Sequence, residues 1–323
     1  MCTSKSITKA DYEEISKMNI KRILYYKALY FMMLPALIFL LINNYLPMLG
    51  LILAFKSYNF TDGIFRSPWS GLTNFRFLFE TPDAWRITRN TVGYNFLFII
   101  LGLFFTVFFA ITLNEIVQKK LSKTFQTVLL FPYFLSWVVV AYVGYALMHT
   151  GSSSTGFLNS TILPLLGIKP VDWYSTPQVW PFILPVVNLW KGVGYGTVIY
   201  MAALTGFDQQ LYEAAVIDGA SKWKQIKHIT LPLLQPLMII LTIFAIGSIF
   251  RSDFGLFYQF TLNQGAIMDA TNVIDTYVFR ALMDTNDFGL SSAAGLYQSI
   301  VGFILIMLAN WTIRKIDPEK ALF

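Results

Sequence analysis

The chain is sparing with residues that could do chemistry. Its 323 residues include one cysteine, Cys2, and two histidines, His149 and His228. A lone thiol excludes an intrachain disulfide, and two imidazoles make no metal cluster credible. The run at 151–156, GSSSTG, opens like a phosphate-binding loop. Phe157 and Leu158 stand where such a loop needs Lys and Ser or Thr, so no nucleotide site is expected on this chain. Two places remain. Lys191 sits inside a long apolar run, beside Trp190 and ahead of Gly192, Gly194, Tyr195 and Gly196. An ionisable group so placed must face protein or water, because unpaired it is costly. The second place is the polar stretch 211–232, LYEAAVIDGASKWKQIKHITLP, set between two strongly apolar segments.

That stretch carries the punctuation of a projecting knob. Asp208 can cap a short helix over 209–218, Gly219 sits where a helix stops in the left-handed conformation, and Ser221 can cap a second helix over 222–229. Pro232 is then expected to begin the next apolar helix, where its missing N–H costs little.

The elements that must hold these residues follow from composition. At 55% hydrophobic, 17% aromatic and 13% charged, the chain is too apolar for an ordinary soluble domain and reads as a polytopic, all-α membrane protein. Runs of spanning length lie at about 29–55, 91–116, 127–148, 179–204, 233–251 and 292–313, which predicts six transmembrane helices. The formal charge is +6, and the basic residues cluster in a way that speaks of topology, not nucleic acid. Lys21, Arg22 and Lys27, then Lys119, Lys120 and Lys123, then Lys222, Lys224 and Lys227, and finally Arg314, Lys315 and Lys320 fall on one face. Both termini are therefore expected to be cytoplasmic, although Arg66, Arg76, Arg86, Arg89 and Arg280 lie in the opposing loops.

This divides the chain into a cytoplasmic segment 1–28, a six-helix membrane domain 29–313 with a cytoplasmic loop at 205–232, and a cytoplasmic tail 314–323. In the first external loop, 56–90, Phe75, Phe77, Leu78, Phe79 and Trp85 alternate with charges and predict a short amphipathic surface helix. The third external loop, 252–291, is expected to hold a surface or re-entrant helix over 273–283. The glycines after Lys191 permit either close helix approach or local unwinding.

Glu213–Ala214–Ala215, then Gly219, then Ile229–Thr230–Leu231–Pro232 resembles the cytoplasmic loop signature of binding-protein-dependent ABC importer permeases. Gly71–Leu72–Thr73–Asn74–Phe75 followed by Asn90–Thr91 resembles the outer-loop signature of their carbohydrate-uptake branch. Phe254–Gly255–Leu256–Phe257–Tyr258–Gln259, Ile274–Asp275–Thr276–Tyr277 and the final Ala321–Leu322–Phe323 look like the oligosaccharide and polysaccharide permeases of the LplB type. The resemblance implies the type I importer permease fold in the bacterial cytoplasmic membrane. Its implied partners are a second related permease, a cytoplasmic ATPase dimer carrying ATP and Mg, and an extracellular or periplasmic sugar-binding protein. The chain itself would not be an enzyme and would bind no cofactor. Gln209 departs from the proline that relatives often carry at the first helical position, which should cost preorganisation but not chemistry.

On that reading Glu213, Ala214, Ala215, Asp218, Gly219, Ile229, Leu231 and Pro232 couple the chain to the ATPase. Asn188, Trp190, Lys191 and Tyr195 combine flat aromatic faces for sugar C–H surfaces with amide and ammonium groups for hydroxyls. Asn95, Tyr145, Arg251, Asp253 and Gln298 are further candidates for the same path. Helix packing alone is the competing explanation for each of these, and Arg251 and Asp253 could simply pair. The lysine raises the possibility of an acidic, uronate-containing substrate. A secondary transporter would want internal repeats and midplane ion sites; a membrane-embedded enzyme would want converging acids and bases. The spans offer little of either, while a permease for a non-carbohydrate solute stays open.

Overall fold

The computed structural model describes residues 25–76, 80–151, 155–318 and 321. Cys2, Lys21 and Arg22, Phe77 to Phe79, the serines of GSSSTG, Lys320, and Leu322 and Phe323 of the terminal motif lie outside the described residues. Among those described, regular structure is helical throughout. Five helices are long and apolar enough to cross a membrane, and one bent pair qualifies together as a sixth span.

The first span, Lys27–Phe55, starts as α1 (Lys27–Leu40), passes a π-turn at Leu41–Tyr45 and ends in 3-10 turns at Leu49–Phe55. Its last carbonyls would be orphans. The Asn74 amide caps them, with Nδ2 2.9 to 3.1 Å from the Leu53, Ala54 and Lys56 carbonyl oxygens. The centre of the surface helix expected in the first loop, Phe77 to Phe79, lies outside the described residues, and the Glu80 N–H donates to the Arg76 carbonyl at 2.8 Å. A 3-10 turn at Thr73–Phe75 precedes α2 (Pro82–Asn114), which extends nine residues ahead of the expected span and takes in Trp85. Pro82 and Asp83 in the first turn suit a helix start, which is why α2 begins early.

The expected third span, 127–148, is not one helix. It divides into α3 (Lys119–Leu130) with a 3-10 turn at Phe131–Phe134, and α4 (Trp137–Met148), with a bend of 96°. Pro132 interrupts the ladder, Leu135 goes extended, and the Ser136 hydroxyl caps α4 by accepting the Val139 N–H at 3.3 Å. The fourth span is α5 (Trp180–Thr205). Its glycines are helical, not unwound, and two of them serve close approach: a Cβ on Gly194 would overlap the Leu129 carbonyl, and one on Gly196 the Thr106 methyl, while one on Gly192 would meet nothing within 4 Å.

After α5 come α6 (Gln209–Ile217) and α7 (Lys222–Gln225). Pro232 does not start a new helix. α7 runs through a π-turn at Ile226–Thr230 into α8 (Leu231–Gly247), giving one helix over Lys222–Gly247. The reason recurs. Pro47, Pro164 and Pro232 each follow a π-turn by two residues, at Leu41–Tyr45, Leu158–Ile162 and Ile226–Thr230. A helical proline lacks its N–H and crowds the carbonyl four residues back, and a widened turn over that carbonyl relieves both. The helix expected in the third loop is found as α9 (Ile274–Thr285), and α10 (Phe288–Ile316) closes the bundle.

Three buried clusters hold these helices. Val107, Ala110, Tyr200, Leu204 and Leu234 pack α2, α5 and α8 at the end bearing α6, the knob end. Tyr94, Trp180, Leu184, Phe257 and Phe260 pack the opposite half. Ala54, Ala293 and Ala294 join the first span to α10.

Candidate functional site: a knob and a cleft joined by one helix

The knob is built by its capping residues. The Asp208 carboxylate accepts the Gln210 N–H at 2.9 Å and starts α6. Gly219 stops it at φ +72, with the Ala220 N–H donating to the Ala215 carbonyl at 2.8 Å and the Gly219 N–H to Val216 at 3.0 Å. These are both bonds of a Schellman stop. Ser221 has the backbone of a cap residue, but its side chain caps nothing. The buried Gln225 amide secures the bend instead, donating to the Ala220 carbonyl at 3.0 Å. The Tyr212 and Thr230 hydroxyls meet at 3.1 Å and fasten α6 to the long helix. Lys222 pairs with Glu115 at the end of α2 at 3.0 Å, an exposed pair contributing at most about 1 kcal/mol.

Glu213, Ala214, Asp218, Gly219 and Pro232 are exposed, while Ala215, Ile229 and Leu231 are half-buried. Val216, Ile217 and Trp223 are exposed as well, Ile217 by 86%. These three apolar residues were not singled out by sequence. Val216 and Ile217 are neighbours on α6, whereas Trp223 lines an apolar groove with Phe104, Phe108 and Ile111 of α2.

The second site forms where α5 passes the bend between α3 and α4. Lys191 Nζ donates to the Tyr133 carbonyl at 2.9 Å and reaches that of Pro132 at 3.5 Å. The Pro132 carbonyl also accepts the Leu135 N–H at 3.2 Å, and where the ladder is broken within a bilayer the carbonyls need such partners. The ammonium also lies 5.6 and 5.2 Å from the Tyr133 and Trp137 ring centroids, each contact adding about 0.5–1 kcal/mol where exposed. Tyr195 stacks on Tyr133 at 4.7 Å with the planes 10° apart. Asp253 closes the opposite side, its Oδ2 accepting Trp137 Nε1–H at 3.0 Å and its Oδ1 the Gly255 N–H at 2.8 Å. A Cβ on Gly255 would overlap the Trp137 ring, so glycine is what lets this wall close. Tyr133, Phe134, Trp137, Asn188, Lys191 and Asp253 line a cleft of about 480 Å³.

The remaining candidates lie elsewhere. Trp190 points into an apolar groove with Val143, Leu147 and Phe182. Tyr145 sits near the end of α4, 4.5 Å from the His149 ring and 5.9 Å from Tyr174. Asn95, Arg251 and Gln298 converge on the turn after α8. Sequence reasoning missed Tyr133, Phe134 and Trp137. Pro132 inside an apolar run, four residues ahead of a cap-forming Ser136, was the signal that could have exposed the bend.

Residues 100–318 match the family described as binding-protein-dependent transport system inner membrane component. The chain belongs to that family. The permease is 34% identical to protein LplB of Bacillus subtilis (strain 168) over 300 residues, covering 91% of this chain and 90% of that one. It is 33% identical over 310 residues to the polygalacturonan/rhamnogalacturonan transport system permease protein YteP of the same organism, covering 95% and 94%. A crystal structure of a bacterial alginate ABC transporter in complex with alginate pentasaccharide-bound periplasmic protein contains a similar chain. It has a TM-score of 0.82 and 30% identity, with 92% of this chain and 97% of that one covered. The permease is thus a multi-pass protein of the cytoplasmic membrane with the ABC importer permease fold.

Proposed function

We propose that the permease is one transmembrane subunit of an ATP-driven importer of oligosaccharides or polysaccharide fragments. The observation that carries this reading is the single helix Lys222–Gly247, which joins the capped knob at one end to the turn before Asp253 at the other. Work delivered to the knob has a rigid path to the cleft. The knob, with Glu213 and the neighbouring Ile217 exposed, docks on a cytoplasmic ATPase dimer, where ATP and Mg are bound and hydrolysed. Ala214, Ala215, Asp218, Gly219, Ile229, Leu231 and Pro232 shape that contact. Both termini and the loop 205–232 are then cytoplasmic, with segment 1–28 and tail 314–323 flanking the membrane domain 29–313.

Lys191, Asn188, Tyr195, Tyr133 and Asp253 form this chain's share of the sugar path. Aromatic faces, an amide, a cation and a carboxylate in one cleft match what a chain of pyranose rings presents. The names of the relatives and neighbours, with alginate, polygalacturonan and rhamnogalacturonan among them, support an oligosaccharide that includes uronic acid residues. A second related permease completes the pore, and an extracellular or periplasmic sugar-binding protein delivers the ligand.

The test is uptake by proteoliposomes holding the complete complex, supplied with binding protein and a panel of neutral and uronic oligosaccharides. ATP-dependent uptake of at least one oligosaccharide is expected. No uptake of any sugar, with uptake of another solute class instead, would overturn the substrate assignment.

A further inference from the structure

Three helices each send one polar side chain to the same short turn. α8 ends at Gly247, and the backbone at 248–253 leaves the helix before turning into the segment Gly255–Phe260. From α2, Asn95 Nδ2 donates to the Ile249 carbonyl at 2.9 Å and the Arg251 carbonyl at 3.1 Å. From α10, Gln298 Nε2 donates to the Phe250 carbonyl at 2.7 Å. From α9, Asp275 accepts the Ser252 N–H at 2.7 Å, with the same oxygen 3.3 Å from Gln298 Nε2. Burial pushes the Asp275 carboxyl above its usual range, and the Ser252 N–H and the Gln298 amide pull it back. Arg251 Nη2 donates to Ser299 Oγ at 3.2 Å. Three consecutive carbonyls that would otherwise be orphans at the end of a span are therefore each held by another helix.

Beside this turn α8 and α10 touch through glycines. A Cβ on Gly247 would overlap Ile306, and one on Gly302 would overlap the Gly247 carbonyl. The helix Lys222–Gly247 has 26 residues, a length of about 39 Å at the α-helical rise. It is clamped at the turn and exposed at the knob, which makes it a lever with its fulcrum at Gly247. Asp253 lies just past the fulcrum, on the wall of the Lys191 cleft.

We propose that Gln298 and Asn95 are positioning residues for transport. By holding the 249–251 carbonyls they keep the turn stiff, so that a push on the knob moves Asp253 against Trp137 and Lys191 instead of being absorbed by a stretching turn. This rests on the importer reading above.

The test uses the complete reconstituted complex carrying Gln298→Met, a near-isostere without N–H donors, or Asn95→Leu. Two quantities are measured: ATP hydrolysed per sugar imported, and the KM for sugar-loaded binding protein. The ATP cost per sugar should rise by roughly threefold to tenfold, the scale of one lost hydrogen bond, with KM unchanged. Gln298→Lys can donate to the Phe250 carbonyl and pair with Asp275, and should restore the ratio in part. If hydrolysis and uptake fall in step, or KM rises at an unchanged ratio, the proposal is overturned. Should Gln298→Met fail to assemble, Ser299→Ala removes the Arg251 contact together with the hydroxyl's own bond to the Gly295 carbonyl within α10; a smaller rise is expected, and an unchanged ratio overturns the idea. A wild-type complex that imports no oligosaccharide would instead defeat the importer reading.

Discussion

With two of its N–H bonds aimed at the Pro132 and Tyr133 carbonyls, Lys191 stabilises the bend in the third span before it meets any ligand. Its charge is only partly available to a sugar. Lys191→Met should therefore lower uptake of neutral and uronic oligosaccharides by the same factor, on the order of tenfold for the loss of one charge-assisted hydrogen bond. Parallel uptake assays with the two sugar classes check this; a loss confined to the uronic sugar would mean that the ammonium contacts the carboxylate directly. Lys191 was legible in the sequence as a costly charge in an apolar run. Its partners were not, because they depend on a 96° bend that brings carbonyls from 58 and 59 positions earlier against it. Asn74, Asn90 and Thr91 carry a complementary lesson. The motif they belong to was legible, yet each proves to hold backbone: Asn74 caps the first span, Asn90 Nδ2 donates to the Asp269 and Asn272 carbonyls, and Thr91 Oγ1 accepts the Ile274 N–H.

At the scale of elements, local punctuation was the reliable guide. Asp208 and Gly219 start and stop α6 as their types require. Ser221 and Pro232 looked equally clear and behaved differently, because the π-turn at Ile226–Thr230 lets the helix run straight through the proline. A widened turn depends on i→i−5 bonding that no single residue type announces. The consequence is a stiffer connection than two helices separated at Pro232 would give. Gly219 tests it. A Cβ there meets nothing within 4 Å, so Gly219→Ala costs only the left-handed backbone, about 1–2 kcal/mol. The expected result is normal insertion into the membrane with a several-fold loss of both uptake and stimulated ATP hydrolysis, of the size that this energy implies. Full activity in the same reconstituted assay would show that the bend does not shape the contact.

For the whole molecule, composition and hydropathy placed the chain in the membrane and located all six apolar segments, while tertiary packing decided where they bend and extend. The first span shows how little packing within the chain can hold a helix: none of the residues of α1 is buried, and its apolar surface suits a lipid environment. What unites the permease is the line from the knob along Lys222–Gly247 to the cleft of Lys191 and Asp253. Charge reversal at the knob interrogates that line at its origin, far from the cleft. In the complete complex, Glu213→Lys should leave assembly of the transmembrane subunits and binding of sugar-loaded binding protein intact. ATP-driven uptake should fall at least about tenfold, as expected when one charge-assisted contact is replaced by repulsion. Uptake and stimulated ATP hydrolysis at wild-type levels in that variant would contradict the account.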